Sequence, residues 1–183
     1  MEKSKEFKIG MALASFALTL ALALGGFHLY KQHVINEPLI ETLGQLPGVE
    51  GVKIDNQQDP LTIQLTLTRT DDLKDTYFKA ESLVKKQLKS KPYVLEIKGN
   101  STTEMENEYQ DLELAVYQGI ANNSFIWLDG IIDRSSQTHE YKYRLQVDED
   151  NLYITMKKGG HYLCRVVPRK SDSIPVSQGV AAS

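Results

Sequence analysis

The chain has 183 residues, 41% of them hydrophobic, with 21 Lys and Arg against 24 Asp and Glu and a single cysteine. Setting aside Glu2, Lys3, Lys5, Glu6 and Lys8 leaves 18 basic against 22 acidic residues from Lys31 onward, net −4, which argues against nucleic acid as a partner because phosphate binding needs a basic surface. Cys164 has no second cysteine to pair with, so an intramolecular disulfide is excluded and stability must come from a packed core.

The chain opens on a basic tail, residues 1–8, followed by the 22 residues Ile9–Tyr30 without Asp, Glu, Lys or Arg. A helix of that length spans roughly 33 Å, which matches the ~30 Å hydrocarbon core of a bilayer. Lys3, Lys5 and Lys8 precede the run and only Lys31 follows it closely, so the positive-inside rule puts the N-terminus in the cytoplasm and the bulk outside. Ser15 and Thr19 can return their hydroxyls to the helix backbone. The competing expectation is a cleaved signal peptide, with Ala21-Leu22-Ala23 as the small-residue site. Against it, the apolar run continues through Leu24, Phe27 and Leu29.

Residues 31–99 read as one module. His33–Leu46 carries Leu39, Ile40, Leu43 and Leu46 at helical spacing and stops at Pro47-Gly48. Gly51–Asp55 predicts a strand, and Asn56–Pro60 a turn. Leu61, Ile63, Leu65 and Leu67 then alternate with Thr62, Gln64, Thr66 and Thr68, the period-two pattern of a strand with one buried and one wet face. Thr70 or Asp71 is placed to cap a helix reaching about Lys89, with Leu73, Tyr77, Ala80, Leu83, Val84 and Leu88 on its inner stripe. Tyr93, Leu95 and Ile97 mark a third strand. The order is α-β-β-α-β, two helices able to cover one face of a three-stranded sheet.

Residues 100–169 add a helix over Thr103–Ala121, acidic at its start and apolar along Met105, Tyr109, Leu112, Val116 and Ile120. Residues 125–132 fit a buried strand or a short helix capped by Ser124, and helix is favoured. A three-stranded antiparallel meander follows, with Tyr141, Tyr143, Leu145 and Val147 facing one way. Leu152–Met156 comes next, then His161–Val167 after the Gly159-Gly160 turn. Residues 170–183 are expected to be a disordered tail. The fold class is therefore α+β behind an N-terminal transmembrane helix.

Chemistry is hard to find. His28, His33, His139 and His161 are scattered without ligand spacing, so no metal or cofactor is expected. Cys164 lies mid-strand among apolar neighbours and reads as a buried structural thiol. Asp129 and Asp133, four apart, share a helix face and read as a solvated edge rather than an acid–base pair. No phosphate loop, dinucleotide fingerprint or Gly-x-Ser-x-Gly elbow occurs. Lys85, Lys86, Lys89 and Lys91 close the second helix, where positive charge complements the dipole; the same cluster is placed to touch anionic headgroups or wall polymers. The uncharged face of Thr62, Gln64, Thr66 and Thr68 is either hydrated or, with nearby strand edges, a place for another chain to pair.

The stretch Leu39–Asp55, with Leu61–Thr68, Leu73–Leu88 and Val94–Lys98, resembles the ring-building-motif domains of bacterial sporulation-channel and secretion-ring proteins. That resemblance implies an α-β-β-α-β module behind one N-terminal helix, assembling side by side with its neighbours. It assigns no catalytic or ligand-binding residue. The expectation is a non-enzymatic assembly component of a bacterial envelope, anchored in the lipid bilayer through residues 9–30 and binding other envelope proteins or itself. A sensor or ligand-binding module for wall polymer or lipid, and a secreted form, are the alternatives.

Overall fold

The computed structural model describes residues 15–16, 18–20, 37–68, 70 and 72–170. The expected tail and anchor, residues 1–30, and the expected C-terminal tail lie outside the described residues except for Ser15, Phe16, Leu18–Leu20 and Lys170. Those five N-terminal residues are helical, and Thr19 Oγ1 donates to the Ser15 carbonyl at 2.8 Å. Among the described residues no helix is long and apolar enough to cross a membrane.

The first half forms α1 (Glu37–Gly44), β1 (Val49–Asp55), β2 (Leu61–Leu67), α2 (Leu73–Leu88) and β3 (Tyr93–Gly99). Helix α1 ends at Gly44, before the expected Leu46, because residues 45–48 turn tightly: the Leu46 amide donates to the Leu43 carbonyl and the Val49 amide to the Leu46 carbonyl. Leu46 still packs on the core, from the turn. Strand β1 starts two residues earlier than expected, because a bulge between Val49 and Gly51 lets the pairing with β2 continue past Glu50. The α2 cap is Asp72, not Thr70 or Asp71. Its extended backbone lets the carboxylate accept from the Asp75 amide at 2.9 Å, while Thr70 Oγ1 lies 3.1 Å from Thr76 Oγ1.

Strand β2 is central, antiparallel to β1 and parallel to β3. The parallel pairing requires a crossover, and α2 supplies it. Ile63, Leu65, Leu67 and Ile97 pack beneath Leu39 and Leu43 of α1 and Leu73, Ala80, Val84 and Leu88 of α2, so both helices lie on one face.

The second half forms α3 (Thr103–Ala121), α4 (Phe125–His139), β4 (Lys142–Val147), β5 (Asn151–Lys158) and β6 (His161–Pro168). The segment from Phe125 is helical, as favoured, but runs to His139. Ser124 stands at its N-cap position without a side-chain capping bond; its carbonyl accepts from the Leu128 amide at 3.0 Å instead. The helix must turn sharply here so that Leu128 can pack on Gly119 of α3, where an added Cβ would meet Leu128 at 3.1 Å. Gly119 is thus more buried than the expected Ile120.

The meander β4-β5-β6 is antiparallel throughout. Its β5–β6 turn puts Gly159 and Gly160 at φ 56° and 87°, the conformation such a hairpin demands. Val147 does not join Tyr141, Tyr143 and Leu145 in facing the core. It ends the strand 37% exposed, and its carbonyl accepts from Lys74 Nζ at 3.1 Å.

Strands β5 and β6 are buried on both faces. Leu152, Ile154, Met156, Leu163 and Val167 pack against α3 and α4, whereas Tyr153 and Cys164 belong to the core of the first half. The junction brings β3 against β6: the Tyr162 amide donates to Asn100 Oδ1 at 2.8 Å, and a Cβ on Gly99 would stand 2.0 Å from the Tyr162 carbonyl oxygen. Backbone cannot yield as a flexible side chain would, so Gly99→Ala is expected to cost about 1–3 kcal/mol or more, read as a lowered urea midpoint with an unchanged slope.

Candidate functional site

Each residue singled out by sequence can now be placed. Lys85 and Lys86 occupy the last turn of α2, Lys89 is its C-cap residue at φ 55°, and Lys91 follows; all four are exposed. Lys85 Nζ pairs with Glu81 at 2.9 Å. Lys85 and Lys86, in the last turn, complement the helix dipole, and Lys89 and Lys91 follow them in sequence.

Thr62, Gln64 and Thr66 lie on the sheet face that α1 and α2 leave uncovered. Thr68 does not join them, because β2 ends at Leu67 and the Thr68 amide turns to the Gly48 carbonyl at 3.2 Å. The strand carrying this face is interior to the sheet, so the edge open to pairing is β1. Register aligns Lys53, Gln64 and Glu96 in one row across the three strands, and Gln64 Nε2 donates to Glu96 Oε2 at 3.1 Å. With Asp55, Gln58, Thr62 and Lys98 they line an open groove of about 380 Å³. The flanking charges were not singled out from sequence. Only the register of β1 and β3 against β2 brings them beside the threonines.

Cys164 is fully buried, and burial pushes its thiol up to about 11, with Arg165 opposing the rise. At neutral pH almost no thiolate is present, and the sulfur has no path to solvent. A disulfide-exchange reagent is expected to leave Cys164 unmodified in the folded protein and to titrate one thiol after denaturation.

Asp129 accepts from the Tyr143 hydroxyl at 3.0 Å and Asp133 from Gln137 Nε2 at 2.8 Å, so each carboxylate is tied to its own partner. The nearest thing to a catalytic constellation escaped sequence reasoning: Ser135 and His139 on α4 meet Glu108 on α3. His139 Nδ1 stands 2.8 Å from Glu108 Oε2 and 3.4 Å from Ser135 Oγ. Both contacts use the same ring nitrogen. A triad needs the acid on one nitrogen and the nucleophile on the other, so this geometry clamps two helices and relays no proton. Among the described residues no three His, Cys, Asp or Glu side chains come together to hold a metal ion.

A polar network joins α2 to the meander. Asp72 Oδ1 accepts from Gln146 Nε2 at 3.1 Å, Tyr153 donates to Asp148 Oδ2 at 2.7 Å, and the Tyr77 and Tyr153 rings meet edge to face. The Asp75 amide, then Gln146, hold the Asp72 carboxyl below its ordinary 3.8. Burial pushes the Asp148 carboxyl up, but bonds from Tyr153 and the Asn151 and Asp150 amides together bring it below 3.8. Both folded pKa values are depressed, so their stabilisation is complete above the unfolded value and is lost as pH falls through the folded ones. Acid unfolding is expected to begin below about pH 4. Asp72→Ala is expected to cost about 1 kcal/mol, and Asp72→Asn much less because it keeps the cap, as read from denaturation at pH 7 and pH 4.

No protein-family model matches the chain, and no curated protein matches it in sequence.

Proposed function

We propose that the chain is a single-pass membrane-anchored protein whose α+β body lies outside the cytoplasm and binds other envelope proteins or copies of itself as an assembly component. Supporting the anchor are the length and uninterrupted apolarity of Ile9–Tyr30 and the lysines ahead of it. Assembly rests chiefly on the outer surface of the α3–α4 hairpin. Leu114 is 80% exposed and Ile126 91%, with Tyr117 and Trp127 also exposed. Side chains of this size and type, aromatic residues above all, are the ones that anchor protein interfaces. They are not needed for the fold, whose core is complete without them.

A ligand-binding module is the second reading, favoured by the groove over Gln64 and Glu96. Its mixed charges suit a zwitterionic or hydroxyl-rich ligand better than an apolar one.

In-cell crosslinking of the full chain with mass spectrometry tests assembly. Leu114→Lys with Ile126→Lys is expected to lower crosslinked yield about tenfold while leaving stability within about 0.5 kcal/mol, since both sites are exposed. A wild-type chain that crosslinks to nothing and sediments strictly as a monomer sinks the reading. N-terminal sequencing of the mature protein decides between a retained anchor and cleavage after Ala23.

A further inference from the structure

We propose that the basic end of α2, formed by Lys85, Lys86, Lys89 and Lys91, rests on the phosphate headgroups of the bilayer in which the chain is anchored; this rests on the anchor reading above. Parallel pairing of β2 with β3 obliges α2 to run the length of the sheet, from the Leu67/Gly99 end to the Leu61/Tyr93 end. The four lysines therefore sit where β1 finishes and β2 and β3 begin. Helix α1 joins β1 through residues 45–48 and buries Leu39 and Leu43 in the core above the sheet. It has folded back over β1, so that Glu37 points toward the same end. From Tyr30, the last residue of the apolar run, to Glu37 an extended chain reaches at most about 25 Å. The described body therefore begins, at Glu37, on the side that carries the lysines.

The described residues of the second half make their polar contacts with the first half at the other end. Junction contacts of the second half, Gly99 and Asn100 with Tyr162 and Asp72 and Lys74 with Gln146 and Val147, all lie at the opposite end of the sheet. A body tethered this way presents its lysines to the membrane and its α3–α4 hairpin away from it.

Two further observations separate this from simple dipole complementation. Lys91 lies beyond the helix, and among the described residues only Lys85 of the four has an ion-pair partner. Lys89 holds φ 55° at the C-cap, a conformation for which glycine is the locally favoured residue. A lysine stands where the backbone would be better served without a side chain. Of the acids at this end, Glu37, Asp55, Asp59 and Glu81, Glu81 is occupied by Lys85.

The test uses the full chain in two kinds of proteoliposome, phosphatidylcholine alone and phosphatidylcholine with phosphatidylglycerol. A membrane-impermeant acylating reagent is applied and each lysine is read by mass spectrometry. Acylation of Lys85, Lys86, Lys89 and Lys91 is expected to be about fivefold slower on the anionic vesicles. The difference should vanish near 0.5 M salt, where the screening length falls to about 4 Å. Lys79 and Lys142 should react equally in both. Lys89→Gly should fold at least as stably as the parent and weaken protection of the other three.

Equal acylation of the four lysines in both vesicles, with the chain floating alongside phosphatidylcholine vesicles, overturns the headgroup contact and leaves the anchor standing. Flotation with anionic vesicles alone overturns the anchor and supports the contact. Protection by soluble poly(glycerol phosphate) but not by anionic vesicles assigns the lysines to a wall polymer and overturns the lipid assignment.

Discussion

Strands β5 and β6 have no face to give to water. One side carries Leu152, Ile154, Met156, Leu163 and Val167 into the core under α3 and α4; the other sends Tyr153 and Cys164 into the core under α1 and α2. Burying both faces of a strand pair removes the usual choice between an apolar and a solvated side. Two clusters that would each be small for an independent domain are thereby joined through shared strands. Burial on this scale, at about 25 cal/mol per Å² of apolar surface, is what a chain without disulfides must rely on.

The junction that this sharing creates is tight on one side and polar on the other. At Gly99 the backbone of β3 approaches β6 so closely that no side chain fits between them. Along α2 the contact is made instead by Asp72, Gln146, Tyr77 and Tyr153, with Tyr153 donating its hydroxyl to Asp148. A buried tyrosine whose polar end finds a carboxylate fixes orientation as well as area. These contacts set the second half against the Leu67/Gly99 end of the first sheet.

The Leu61/Tyr93 end carries the exposed Lys85, Lys86, Lys89 and Lys91, whereas the α3–α4 hairpin exposes Leu114, Tyr117, Ile126 and Trp127. Among the described residues, the Ser135-His139-Glu108 grouping is spent on packing α3 against α4.

Local pattern was enough to locate α2, α3, β2 and the meander, because period-two and helical spacing of apolar residues report which side of an element faces a core. It also gave the helical character of Phe125–Leu128, although an apolar run alone is ambiguous. It misplaced the α2 cap, where Thr70, Asp71 and Asp72 are all chemically competent and the extended backbone of Asp72 aims its carboxylate at the Asp75 amide. Nothing local could show that Tyr153 and Cys164 serve a different core from their strand neighbours, that Lys53 and Glu96 flank Gln64, or that Glu108 meets His139. Those facts depend on strand register and helix packing, which join residues tens of positions apart and leave no periodic trace in the chain.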